Sequence, residues 1–229
     1  AIWENPEDDI AQPKHGCLKG MLVLLIVISI LAVSIPNLAP LFKGTPGFIG
    51  ENQALLEDEI VKLASPAVAR VKARHSNDEP SGKTMEGTGF NILPAGRIVT
   101  NAHVIEGAEE ITIRFPNGKT YDSLRFWVIE GLDLAVVEIE GEDLPFLTIN
   151  QSDPVKEGDT VTVVGNPLGF KNIAQRGSVG SFYEFPQMPV PVFHVDISLH
   201  PGNSGSPVLN EEAGVVGVVF AVMEAEEKE

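Results

Sequence analysis

The chain has 229 residues, of which 43% are hydrophobic and 21% charged, a composition that can bury a core and excludes wholesale disorder. Its 16 Lys+Arg stand against 32 Asp+Glu, a formal net charge of −16. No basic stripe is present to release phosphate counterions, which argues against a nucleic-acid partner. Cys17 is the single cysteine, so an intramolecular disulfide and a cysteine-based zinc site are both excluded.

Charge and apolar content are unevenly spread. Residues 1–20 form a polar tail, and residues 21–42 carry no charge and are apolar but for Ser29, Ser34, Asn37 and the prolines Pro36 and Pro40. About 20 apolar residues cross the hydrocarbon core, so 21–42 is predicted as a transmembrane helix, kinked or tilted at Pro36. A buried core helix would show a polar face every 3.6 residues, and this stretch shows none. Ala32 and Ser34 have the small-x-small spacing of a signal-peptide cleavage site, but Pro36 follows at once and 20 residues precede the run. Lys14 and Lys19 lie before the span and Lys43 after it. The positive-inside rule then places the N-terminus in the cytoplasm and the rest of the chain outside, in the periplasm or extracellular space.

Residues 43–50 (KGTPGFIG) read as a linker. Residues 52–64 read as a short amphipathic helix stopped by Ser65-Pro66. Short Val/Ile/Phe-rich runs separated by Gly, Pro, Asn and Asp follow, at 67–73, 87–93, 97–100, 110–115, 120–129, 134–140, 160–165, 174–185, 190–197, 207–209 and 214–222. Such a series is mainly β, either a sandwich or a pair of barrels, with residues 141–158 as the crossover between halves.

Four stretches carry chemistry: TNAHVI (100–105), GLDLAVVEI (131–139), GNPLGF (165–170) and HPGNSGSPV (200–208). The last sets Ser204 on a turn with glycine on both sides. Glycines permit positive φ, and such a turn can aim backbone N–H groups at one point, where they would bind an oxyanion. A serine hydroxyl becomes a nucleophile when a histidine takes its proton, and that histidine needs a carboxylate to fix its tautomer. His103, Asp133 and Ser204 come in the chain order of the two-barrel serine proteases.

Across about residues 54–223 these features resemble the HtrA branch of the trypsin-like serine proteases. LASPAVARV (63–71), GTGF (87–90), TNAHVI, DLAVV, GNPLGF and PGNSG occur in the family's order. GTGF alone is a weak signal; TNAHVI, DLAVV and PGNSG together are specific. The resemblance implies two six-stranded-type antiparallel β-barrels, one over about 66–140 and the other over about 158–223, within a protease domain at 51–229. It implies His103 as general base, Asp133 as its orienter and Ser204 as nucleophile, with an oxyanion hole from the N–H groups of Gly202 and Ser204 aided by Asn203. It places Leu199, His200, Val218 and Phe220 on the substrate pocket, suited to a medium aliphatic residue, since no Asp stands there to hold a cation. It also implies protein or peptide substrates, no cofactor, and a homotrimer formed near residues 44–58.

Three features depart from the family pattern. Ser206 stands where a second glycine is usual, and His200 where Asn is frequent. The chain ends at Glu229, where the resemblance leads one to expect a further strand and a PDZ domain. His194 and Asp196 share one face of a strand but read as a surface pair, not a metal site. His75 reads as solvated, and the acidic end at 224–229 as a solvated tail. The expected activity is a membrane-anchored serine endopeptidase cleaving unfolded or extended proteins outside the cytoplasm. The alternative is a catalytically silent domain of the same fold that binds peptides or partner proteins.

Overall fold

A computed structural model describes residues 47–75, 83–186 and 188–220, all within one unit at 46–229. The predicted tail and membrane span at 1–42 lie outside the described residues, as does the acidic end at 224–229. Among the described residues, no helix is long and apolar enough to cross a membrane.

The chain enters through two helices, α1 (Gly47–Leu55) and α2 (Glu59–Ala64), where the sequence predicted one helix over 52–64. The break has a local cause. Asp58 sits in extended backbone at φ −67° and ψ 136°, and its Oδ1 accepts the Ile60 N–H at 2.9 Å, so the helix restarts on an aspartate N-cap. Residues 47–50, read as linker, belong to α1. Helix α1 is tied to the second half of the protein by Asn52, whose Oδ1 accepts the Ala174 N–H at 2.8 Å. Helix α2 is tied there by Asp58, whose Oδ2 lies 2.8 Å from Arg176 Nη2. A 3₁₀ turn at Ser65–Ala67, with Pro at its start, leads into the first strand.

Among the described residues, twelve strands form two antiparallel sheets. The first holds β1 (Val68–His75), β2 (Lys83–Asn91), β3 (Arg97–Thr100), β4 (Ala108–Arg114), β5 (Thr120–Ser123), β6 (Phe126–Ile129) and β7 (Leu134–Glu138), in the order β5-β4-β1-β2-β3-β7-β6. A four-residue helix, α3 (Ala102–Ile105), follows β3. The second sheet holds β8 (Thr160–Gly165), β9 (Ile173–Tyr183), β10 (Val192–Val195), β11 (Pro207–Leu209) and β12 (Val215–Val218), in the order β10-β9-β8-β11-β12.

The fold is therefore mainly β, two curled sheets of half-barrel form. The strand count differs from six and six. One predicted strand over 120–129 is broken into β5 and β6. At the break Ser123 Oγ turns to the Glu138 carbonyl at 2.6 Å and receives the Arg125 N–H at 3.0 Å. The side chain thus replaces ladder bonds, and β5 pairs with β4 while β6 pairs with β7. The two end strands of the sheet order are neighbours in the chain, which curls the first sheet back on itself. The second sheet shows five strands among the described residues.

Alternating apolar residues build three cores. Val71, Ile98, Ile111, Ile113 and Val137 fill the first sheet. Val161, Val163, Val179 and Val208 fill the second. Between them Val68, Phe90, Val164, Ala174 and Leu209 form a shared core, capped by Val61 and Ala64 of α2.

Phe90 is wholly buried in that shared core. Phe90→Ala is expected to lower the unfolding free energy by about 3–5 kcal/mol, read by chemical denaturation. Asp58 gives a pH-dependent test. Burial alone would raise its pKa, but the hydrogen bond and charge of Arg176 and the N–H groups of Ile60 and Val61 outweigh burial and hold it below the ordinary 3.8. Its contribution is complete above that ordinary value and is lost as pH falls through the depressed folded value. Asp58→Asn should therefore cost about 1 kcal/mol at neutral pH. The difference from wild type should vanish in acid well below pH 3.8.

Candidate active site

Helix α3 and the β6–β7 turn carry two of the three residues singled out from the sequence. His103 lies in α3, and Asp133 immediately precedes β7. The Asp133 carboxylate grips His103 twice: Oδ1 accepts the His103 backbone N–H at 2.9 Å, and Oδ2 lies 2.6 Å from His103 Nδ1. One contact fixes the backbone and the other fixes the ring, so the carboxylate sets both position and tautomer. With Nδ1 so engaged, Nε2 is the imidazole nitrogen left to accept a proton. Asn101, just before α3, does not cap the helix; its Nδ2 donates instead to the Asp133 carbonyl at 2.7 Å. Asn101 and His103 together make three hydrogen bonds to Asp133, 30 residues beyond His103.

The Ser204 backbone approaches this segment at Gly87. A Cβ built on Gly87 would stand 3.0 Å from both the Ser204 carbonyl oxygen and Val104 Cγ2. The residue after His103 and the Ser204 backbone thus meet across a glycine that leaves them room. The turn itself needs its two glycines. Gly202 has φ +99° and faces the Asn166 carbonyl, 2.5 Å from where a Cβ would lie. Gly205 has φ +84°, and a Cβ there would run into the Thr88 carbonyl.

The N–H groups of this turn divide into two sets. Those of Asn203, Gly205 and Ser206 donate to the carbonyls of His200 (3.0 Å), Val219 (2.8 Å) and Asn203 (2.9 Å). Those of Gly202 and Ser204 make no hydrogen bond among the described residues. The Leu168 N–H donates to the Pro201 carbonyl at 2.8 Å. Across a trans peptide the C=O and N–H point opposite ways, so the Gly202 N–H faces away from the 165–170 segment. Asn203 leaves the predicted oxyanion set: its N–H is used, its side chain is buried, and its Nδ2 finds no partner among the described residues.

The predicted pocket residues pack on different cores. Leu199 packs on the core of the second sheet, whereas Val218 packs on the shared core between the sheets. His200 and Phe220 are half-buried at either side of the turn region. The hydroxyl of Ser206 is buried without a partner among the described residues. His75, read as solvated, is half-buried with Nε2 3.3 Å from the Val104 carbonyl. His194 and Asp196 are exposed, and no cluster of three or more His, Cys, Asp or Glu that could hold a metal occurs among the described residues.

Sequence reasoning missed the supports of the turn. Thr88, Asn101, Asn166 and Leu168 all lie inside motifs it had noted, but their roles run through contacts of long sequence separation. The Thr88 hydroxyl donates to the Gly202 carbonyl at 2.7 Å and accepts the Asn166 N–H at 2.9 Å. Leu168 adopts φ 50°, ψ 26°, and Gly169 follows at φ +81°, a left-handed pair that bends the GNPLGF segment.

Two curled antiparallel sheets with a serine turn, a histidine and an aspartate on their loops define a chymotrypsin-like architecture. The trypsin-like peptidase domain model matches residues 87–218, more than half of the chain, and the chain belongs to that family. A DegP-like relative from Pseudomonas savastanoi pv. phaseolicola, named as a periplasmic serine endoprotease, is 32% identical over 164 residues, 70% of this chain and 34% of the relative. The serine protease HhoB of Synechocystis is 35% identical over 142 residues, 59% of this chain and 34% of the relative. The chain thus spans about a third of the length of these curated relatives. Among solved structures, the active form of a protease from M. tuberculosis superposes with a TM-score of 0.63 at 26% identity, covering 74% of this chain and 76% of that one. The HtrA-type protease AlgW with a tripeptide shares the fold, with a TM-score of 0.62 at 24% identity over 69% of this chain and 52% of that one. The domain is a trypsin-like peptidase domain, similar to those of DegP-like serine endoproteases.

Gly202→Ala is expected to destabilise the fold by about 1–3 kcal/mol, because a side chain there combines positive φ with a clash against the Asn166 carbonyl. Thermal unfolding of the variant checks this.

Proposed function

We propose that this protein is a serine endopeptidase of HtrA type that cleaves unfolded or extended protein chains outside the cytoplasm, anchored to a membrane through residues 21–42. The observation that carries the reading is the pair of N–H groups of Gly202 and Ser204, without partners among the described residues in a turn whose N–H groups at Asn203, Gly205 and Ser206 are bonded. A burial-prone donor left unpaired costs free energy, and its use is to receive an anion that forms only during reaction.

The chemistry follows from the residues. The Ser204 hydroxyl oxygen attacks the scissile carbonyl carbon while His103 Nε2 takes the hydroxyl proton. The electron pair of the carbonyl moves to its oxygen, which the Gly202 and Ser204 N–H groups receive. Asp133, bonded to Nδ1, stabilises the imidazolium. Collapse of the tetrahedral intermediate breaks the C–N bond, and His103 returns the proton to the leaving amine. Water, deprotonated by His103, then attacks the acyl-Ser204 ester and releases the carboxylate product. Extended substrates suit such a site because their backbones pair with exposed strand edges. Assembly of three copies through residues 44–58 belongs to the same proposal, and sedimentation of the solubilised protein tests it.

A fluorophosphonate probe is expected to label the detergent-solubilised protein, and Ser204→Ala is expected to abolish both labelling and cleavage of an unfolded protein. Wild type that resists labelling under every condition would sink the proposal; labelling without peptide-bond cleavage would point to a different acyl transfer. Asp133→Asn should lower kcat by about 10⁴-fold with little change in fold, since the amide supports the wrong imidazole tautomer.

A further inference from the structure

The carbonyls of residues 200–204 are all engaged. That of His200 accepts from the Asn203 N–H, Pro201 from Leu168, Gly202 from the Thr88 hydroxyl, Asn203 from Ser206, and Ser204 from the Thr88 N–H at 2.8 Å. Two of these five bonds come from one residue on the other sheet, and only the Gly202 carbonyl is held by a side chain. The peptide it belongs to lies between the two that carry the free N–H groups. Fixing that carbonyl fixes the rotation of the peptide joining Gly202 to Asn203, and hence the relative direction of the two donors.

We infer that Thr88 is the positioning residue of the oxyanion hole, its hydroxyl locking the Gly202 carbonyl so that the Gly202 and Ser204 N–H groups converge on one point. This rests on the proposed role of the Ser204 turn. The hydroxyl is well prepared for the task. Thr88 is wholly buried, so no water competes. The Asn166 N–H donates to the Thr88 oxygen, which leaves the hydroxyl proton for the Gly202 carbonyl. The Thr88 carbonyl is itself held by Thr100 Oγ1 at 2.7 Å. A β-branched side chain has few χ1 choices, so little freedom remains once these bonds form. Arg70, the cross-strand partner of Thr88, donates to the Gly169 carbonyl and steadies the segment behind the turn.

The test compares Thr88→Val and Thr88→Ala, which remove the hydroxyl, with Thr88→Ser, which keeps it. Each is made in the full chain, and kcat and KM on a peptide substrate and affinity for a peptidyl boronate are measured on folded, active-site-titrated protein. Losing an oxyanion donor outright costs about 10²–10³-fold in kcat, so losing its support should cost about 10–100-fold. KM should stay near wild type and boronate affinity should fall in parallel with kcat, because only the transition state uses the hole. Thr88→Ser should restore most of both. A folded hydroxyl-free variant with wild-type kcat and boronate affinity overturns the inference. So does failure of both hydroxyl-free variants to fold when Thr88→Ser folds, which would make the hydroxyl structural only. A Ser204→Ala variant is carried alongside; cleavage by that variant would overturn the nucleophile assignment, separately from Thr88.

Discussion

A turn that must keep two N–H groups unpaired is unstable unless something prevents it from relaxing. A donor without a protein partner gains by finding one, and a small peptide rotation would let it do so. In this protein the turn at 200–206 resists that rotation because its carbonyls are anchored, partly within the turn and partly by Leu168 and Thr88. Positive φ at Gly202 and Gly205 brings the backbone close enough to Asn166 and Thr88 for those anchors to reach. The architecture around it reads as a consequence: two sheets are needed because the anchors come from both.

The seam between the sheets is unusually polar for a buried junction. Thr88, Asn166 and Thr100 are buried there, and Asn166 Nδ2 also reaches the Ala69 carbonyl at 3.2 Å. Apolar contacts alone are non-directional and would permit one sheet to slide on the other. Buried hydrogen bonds do not permit it, because each shifted pair would leave polar groups unsatisfied. The shared core around Phe90 supplies cohesion, and the polar groups beside it supply register. With Cys17 the single cysteine, no disulfide supplements this junction.

Much of the fold was legible because strands of this kind announce themselves. The bounds of β3, β8 and β11 match the apolar runs at 97–100, 160–165 and 207–209, since Gly, Pro and Asn punctuate both ends. The triad candidates were legible for a related reason, as each sits beside a glycine or at a strand end in a distinctive local string. What was not legible depended on distant partners. The break between β5 and β6 follows from the Ser123 bond to Glu138. GTGF looked weak as a motif because its importance lies in a contact between Thr88 and Gly202, 114 residues apart. Asn203 looked like an oxyanion donor because the string GNSG does not reveal which N–H groups the turn consumes.

The same contrast explains how the histidine loop differs from the serine turn. His103 and Asp133 are held by side chains that could have been guessed, and both remain partly open to solvent, with side-chain exposures of 41% and 25%. Their geometry needs only a carboxylate within reach of a ring and of one backbone N–H. The serine turn is held through its main chain, by the hydrogen bonds that its carbonyls at 200–204 accept. A carboxylate–imidazole pair can re-form after a loop moves, because its partners are mobile side chains. A set of backbone donors re-forms only when the whole ring of carbonyl anchors closes again.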